Sequence, residues 1–116
     1  MLVPGGMYDE AFLHNAASAT ADGTSLETVD SVNGAYAVVT FQVTGTWTGT
    51  INFEATVNGS DWVALEVESV GNSATLSTST AANGIFRAVV LGLLKVRARL
   101  TWTAGTSVTV RAIAVA

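Results

Sequence analysis

The chain has 116 residues, 49% of them hydrophobic and only 12% charged, with a net charge of −4 and no cysteine. That length suits one domain with a single two-layer core, and the missing thiols exclude disulfides and thiolate metal sites. The acidic balance disfavours nonspecific binding to nucleic acid, and a charged fraction about half the usual ~25% leaves an unusually uncharged surface. Such a surface has two readings: partners cover part of it, or it is a solvated, Thr-rich sheet.

Residues 1–23 come first and differ from the rest of the chain. Pro4, Gly5 and Gly6 break regular structure, and no period of two is sustained from Met7 to Asp22. Asp9 to Ala17 has some helical character, but an extended N-terminal arm is the better expectation. Its apolar residues (Leu2, Val3, Met7, Tyr8, Phe12 and Leu13) argue against a freely solvated tail. The arm is expected either to pack on its own domain or to lie across a neighbour. The start lacks a basic segment followed by an apolar one, so no secretory signal is expected.

From about Thr24 the chain becomes a succession of strands, giving a β-sandwich domain over residues 24–116. Leu26 to Ser31 is a short strand ending at Asn33-Gly34. Ala35 to Val43 follows, with Ala37, Val39, Phe41 and Val43 on one face. Gly45 and Gly49 punctuate the approach to the clearest element. There Ile51, Phe53, Ala55 and Val57 alternate with Thr50, Asn52, Glu54 and Thr56. Asn58-Gly59 then predicts a tight hairpin turn, since it supplies positive φ at least steric cost. Trp62 to Val67 reads as the returning strand.

After Gly71-Asn72, Ala74 to Thr80 is a Ser/Thr-rich strand, and Asn83-Gly84 leads into Ile85 to Leu91. Leu94 to Thr103 is followed by an expected turn at Ala104-Gly105 and a last strand from Val108 to Val115. About eight strands joined by Gly-based turns predict an all-β fold, an antiparallel β-sandwich of jelly-roll type. The most apolar stretch, Ile85 to Leu100, is interrupted by Arg87, Lys95, Arg97 and Arg99, so no membrane span is expected.

Charge is segregated along the chain. All nine acidic residues fall between Asp9 and Glu68, and all five basic ones between Arg87 and Arg111. Lys95, Arg97 and Arg99 share one face of their strand, opposite Val96, Ala98, Leu100 and Trp102. Two readings stand: cross-strand pairing with partners such as Glu54, Glu66 or Glu68, or a basic strip that meets an acidic patch on the next subunit.

Candidates for chemistry are few, and no enzyme is expected. His14 is the lone histidine and sits in the arm, and no Gly-x-Ser-x-Gly elbow is present to hold a nucleophilic serine. Glu54, Asp61, Glu66 and Glu68 could be paired as glycosidase carboxylates, but they read more simply as solvated strand residues. Asn58, Ser60 and Asp61 offer oxygens to a calcium ion, yet the same residues are what a tight turn requires. No cofactor or metal is expected. Trp102 is expected in the core, whereas Trp47 and Trp62 are candidates for an exposed, sugar-stacking platform.

The run from Gly45 to Glu54 (Gly-x-Trp-x-Gly-x-Ile-x-Phe-Glu) with Asn58-Gly59-Ser60-Asp61-Trp62 resembles small β-sandwich virion proteins of tailed bacteriophages. Asn83 to Ala88 and Leu94 to Leu100 are similar to later strands of the same modules. The resemblance implies a capsid decoration (cement) protein that binds the assembled shell as a homo-oligomer, a trimer by preference. The implied partner is the major capsid protein, with no nucleic acid and no membrane. The implied location is the virion's capsid surface, after synthesis in the bacterial host cytoplasm. In that setting Leu2, Val3, Tyr8, Phe12 and Leu13 would reach onto a neighbour, Lys95, Arg97 and Arg99 would set register, and the domain should stay folded without residues 1–20. The alternative is a carbohydrate- or receptor-binding module of a phage tail or fibre, using Trp47 or Trp62.

Overall fold

The computed structural model describes residues 8–30 and 34–116, so Leu2 and Val3 lie outside the described residues. In chain order the strands are β1 (Tyr8–Ala17), β2 (Leu26–Glu27), β3 (Val29–Asp30), β4 (Gly34–Ala35), β5 (Val38–Thr56) and β6 (Val63–Ala64). They continue with β7 (Val67–Ser69), β8 (Asn72–Ser77), β9 (Ser79–Thr80), β10 (Gly84–Val89) and β11 (Lys95–Val115). β3 and β4 form a small ribbon, and the other nine belong to one sheet in which every pairing is antiparallel. The all-β class expected from the alternation is the class observed.

That sheet is folded over on itself. β5 has 19 residues and β11 has 21, and they pair from one end to the other. Their outer halves, 38–43 and 108–115, belong to a first layer ordered β1-β11-β5-β10-β7-β8. Their inner halves, 51–56 and 95–100, belong to a second layer extended by β2 on one side and by β6 and β9 on the other. The expected turn at Ala104-Gly105 is therefore not a turn, because β11 runs straight through it as a bend.

The bend has an identifiable cause. Register slips between Trp102 and Ala104 and again between Gly105 and Ser107, opposite the segment from Gly49 to Thr46. Two bulges this close sharpen the twist and turn the strand pair over. The backbones come so near that a Cβ on Gly105 (φ 121°) would stand 2.6 Å from the Thr46 carbonyl oxygen. One on Gly45 (φ 124°) would overlap that of Ser107. Only glycine fits both the dihedral and the space.

Folding over brings two alternating sets of side chains together. Val39, Phe41 and Val43 of the first layer and Ile51, Phe53 and Ala55 of the second are all buried. From β11, Val96, Ala98 and Leu100 meet Val108, Val110, Ala112 and Ala114 in the same cluster. Phe53 touches Phe41 at 4.9 Å and Phe86 at 5.5 Å between ring centroids, in the tilted geometry aromatic pairs favour.

The described part of the expected arm packs on its own domain. β1 is an edge strand of the first layer, paired with β11 from Tyr8↔Val115 to Ala17↔Val108. Its register slips between Phe12 and His14, where Leu13 is the extra residue, so Leu13 and His14 are both buried although adjacent. This bulge is what removes a period of two from the sequence. The chain then crosses to the second layer, where Ala21 bridges Leu100 and β2 pairs with β11. The loop after β5 is also wider than an Asn-Gly turn. Ala55 pairs with Val63, and Asn58 Oδ1 accepts from the amides of Ser60 and Asp61 at 2.9 and 2.8 Å.

Candidate functional site

The residues singled out for chemistry are placed apart. His14 is 5% exposed, and its Nε2–H donates to the carbonyl oxygen of Ala98, tying β1 to the second layer. Gly23 covers the ring so closely that a Cβ there would stand 2.6 Å from Nε2. Asp61 accepts from Asn58 Nδ2 at 2.7 Å within the turn. Among the described residues no three His, Asp or Glu side chains converge as a metal site.

The two arginines of the basic strip make cross-strand pairs. Arg97 Nε donates to Glu54 Oε1 at 2.8 Å, and Arg99 Nε to Glu54 Oε2 at 3.2 Å. Arg97 also lies 3.5 Å from Asp22. With Glu54 and Arg97 side chains only 14% and 17% exposed, this is a fixed network on the second layer's outer face. Lys95 stands opposite Glu27 of β2, without an ion pair among the described residues.

Neither candidate platform tryptophan is a free ring. Arg97 lies over Trp62 at 4.2 Å from the centroid, a cation–π contact. Trp47 packs against the core, and its Nε1–H donates to Asn83 Oδ1 at 2.8 Å. Asn83 in turn donates to the Gly45 carbonyl at 2.9 Å, fastening the β9–β10 connection to the bend. Trp102 also packs against the core.

The remaining expected interface residues divide. Leu13 is 1% exposed, so it is a core residue of its own chain and not a contact for a neighbour. Tyr8 and Phe12 are exposed at 63% and 47%, on the outer face of the first layer. That face is the most distinctive surface of the molecule. Register aligns Tyr8, Val115, Val38 and Val89 in one row across four strands. A second row runs Glu10, Ile113, Thr40, Arg87, Glu68 and Leu76 across all six. A third holds Phe12, Arg111, Gln42 and Ile85.

Both cations of the face are matched on it. Arg111 pairs with Glu10 at 2.7 Å and covers the Phe12 ring at 5.4 Å, while Arg87 pairs with Glu68 at 2.6 Å. Two depressions flank these pairs. One of about 420 Å³ is lined by Val38, Leu76, Arg87 and Val89 among others. The other, of about 350 Å³, lies between Ile85, Gln42, Thr40, Arg111 and Ile113. Sequence reasoning did not single out Ile85, Val89, Ile113 and Val115. Their signal was present, since a strand apolar at both alternate sets marks a sheet covered on both faces.

No family model matches the chain, and no curated protein does. Among solved structures it is similar to the SPBc2 prophage-derived protein YomS, with a TM-score of 0.83 and 22% identity over 95% of this chain and 94% of that one. It is also similar to the PBSX exported protein XepA, with a TM-score of 0.84 and 16% identity over 95% of this chain but 38% of XepA. The chain thus spans well under half the length of XepA. The folded-over sheet is a fold it shares with phage-derived proteins.

Proposed function

We propose that this chain is a non-enzymatic structural protein of a phage particle, a decoration protein that binds the assembled capsid shell as an oligomer. The observation that carries this reading is the match over 95% of this chain and 94% of the prophage-derived YomS, which puts the same fold at the same size in a phage-encoded protein. The polar groups support it. Glu54, Glu68, Asp61 and His14 are each tied to a partner that holds the fold. Among the described residues, seven exposed large hydrophobic side chains stand on the outer face of the first layer. A shell repeats one binding site many times, so a small oligomer with modest contacts gains affinity by engaging several sites at once.

The tail or receptor reading draws less support, because Trp62 is stacked under Arg97 and Trp47 is anchored to Asn83. Sedimentation of the purified chain with assembled empty shells of its own phage tests the proposal. Co-sedimentation with shells, and not with unassembled capsid protein, is expected. Failure to travel with shells overturns it.

A further inference from the structure

The outer face of the first layer meets another copy of this chain: we infer that it is the self-association surface of the protein. This deepens the proposed oligomer and rests on that reading only for what the oligomer is used for. Of the twelve exposed large hydrophobic side chains among the described residues, seven stand on this one face. Tyr8, Val115 and Val89 form one flanking row and Phe12 and Ile85 another, while Ile113 and Leu76 join the charged residues of the row between them. Val89 at 75% and Tyr8 at 63% are among the most exposed of them. Apolar side chains gathered on one sheet face around internally paired charges mark an interaction surface on a small domain.

Charge identifies the occupant. The chain carries −4 overall, so two copies repel one another across most of their surfaces. On this face Arg111 is neutralised by Glu10, and Arg87 by Glu68. Glu66, between β6 and β7, lines the depression beside Arg87 at the margin of the face. The other acids without an ion pair that can be placed lie elsewhere: Asp9 is on the opposite side of β1, Glu27 is on β2, and Asp61 is in the β5–β6 loop. A basic partner would be drawn to those positions. A like-charged copy approaches most easily where charges are already paired, and burying the centre of this face leaves neither cation without its acid, with Glu66 at the margin.

Area agrees. One row six strands wide and two rows four strands wide, with strands about 4.8 Å apart, give a footprint on the order of 400 Å² per copy. Two such footprints, enlarged by side-chain relief, approach the ~1,000 Å² of a specific interface. That places the contact at the small end of specific interfaces.

The test is light scattering of the full chain during size exclusion at high micromolar concentration. A mass that is a multiple of 11.9 kDa is expected. Val89→Glu and Val89→Lys should both lower that mass, since either charge must be desolvated. Val57→Glu, at an exposed position in the β5–β6 loop, should leave it unchanged. Circular dichroism establishes that each variant is folded. A wild-type chain that runs as an 11.9 kDa monomer overturns the inference. So does an oligomer that survives both Val89 substitutions. Oligomers that form but ignore shells sink the decoration reading and leave this one standing.

Discussion

Phe41 and Phe53 lie on the same strand, yet their rings meet with centroids 4.9 Å apart and planes inclined by 47°. Twelve residues of straight strand would separate them by about 40 Å. Their contact therefore requires the doubling-over of β5, and it closes the two layers at the centre of the core. Each is fully buried. Phe41→Ala and Phe53→Ala should each cost about 3–5 kcal/mol by loss of transfer energy and creation of a cavity. Because the rings touch, the double variant should cost less than the sum. Chemical denaturation of the four proteins in the cycle checks both statements; strict additivity would show that the contact contributes nothing of its own.

The halves of β5 were legible in the sequence because each alternates cleanly and each buries one face. Ala37, Val39, Phe41 and Val43 appeared as one set, and Ile51, Phe53, Ala55 and Val57 as another, although Val57 lies past the end of β5 and is exposed. Their union into one strand was not legible, since Gly45 and Gly49 look alike whether they end a strand or bend it. The same ambiguity split β11 at Ala104-Gly105, where bulges take the place of a turn. β1 was hidden for a different reason. Its bulge buries Leu13 and His14 side by side, and a period-2 search cannot see a strand that changes phase halfway. Of the candidate sites, Tyr8 and Phe12 were legible as exposed apolar residues. The rows that complete their face depend on a register that only the folded chain defines.

The bend itself is testable at one residue. Gly105 combines a φ of 121° with a Cβ position 2.6 Å from the Thr46 carbonyl and the Trp47 Cα. Gly59 has a φ of 84°, but its nearest neighbour would be 4.0 Å away. Gly59→Ala should thus cost only the dihedral strain, about 1 kcal/mol, and Gly105→Ala should add a backbone clash to it and lose at least ~2–3 kcal/mol. Thermal unfolding of the two variants gives the comparison, and equal losses would mean that the corner can open without penalty.

Glu54 and Glu68 separate a sheltered carboxylate from a surface one. Glu54, 14% exposed, accepts from two arginines, whereas the Glu68–Arg87 pair has one partner and side chains 28% and 47% exposed. Glu54→Gln leaves Arg97 and Arg99 crowded and one of them short of an acceptor, for an expected loss of ~1–3 kcal/mol. Glu68→Gln should cost below about 1 kcal/mol and still less at high salt. Urea denaturation at low and high ionic strength distinguishes them. A salt-insensitive deficit is expected for Glu54→Gln alone.

Removing the first strand should unfold the protein rather than release an arm. β1 covers Val108, Val110 and Ala112 of β11, adds Leu13 to the core, and anchors the second layer through the His14 Nε2–H and the Ala98 carbonyl. Deletion of residues 1–20 would uncover a long, apolar edge of β11 with its ladder groups unpaired. It would also discard the Thr20 hydroxyl that accepts from the Trp102 amide at 2.9 Å. The truncated chain is expected to be insoluble or to lack a cooperative melt, and Leu13→Ala alone should cost about 2–5 kcal/mol. Soluble expression and circular dichroism decide the matter. A truncated domain that melts like the full chain would make β1 a dispensable strap, and the role of residues 8–20 would then have to be sought on a neighbouring subunit.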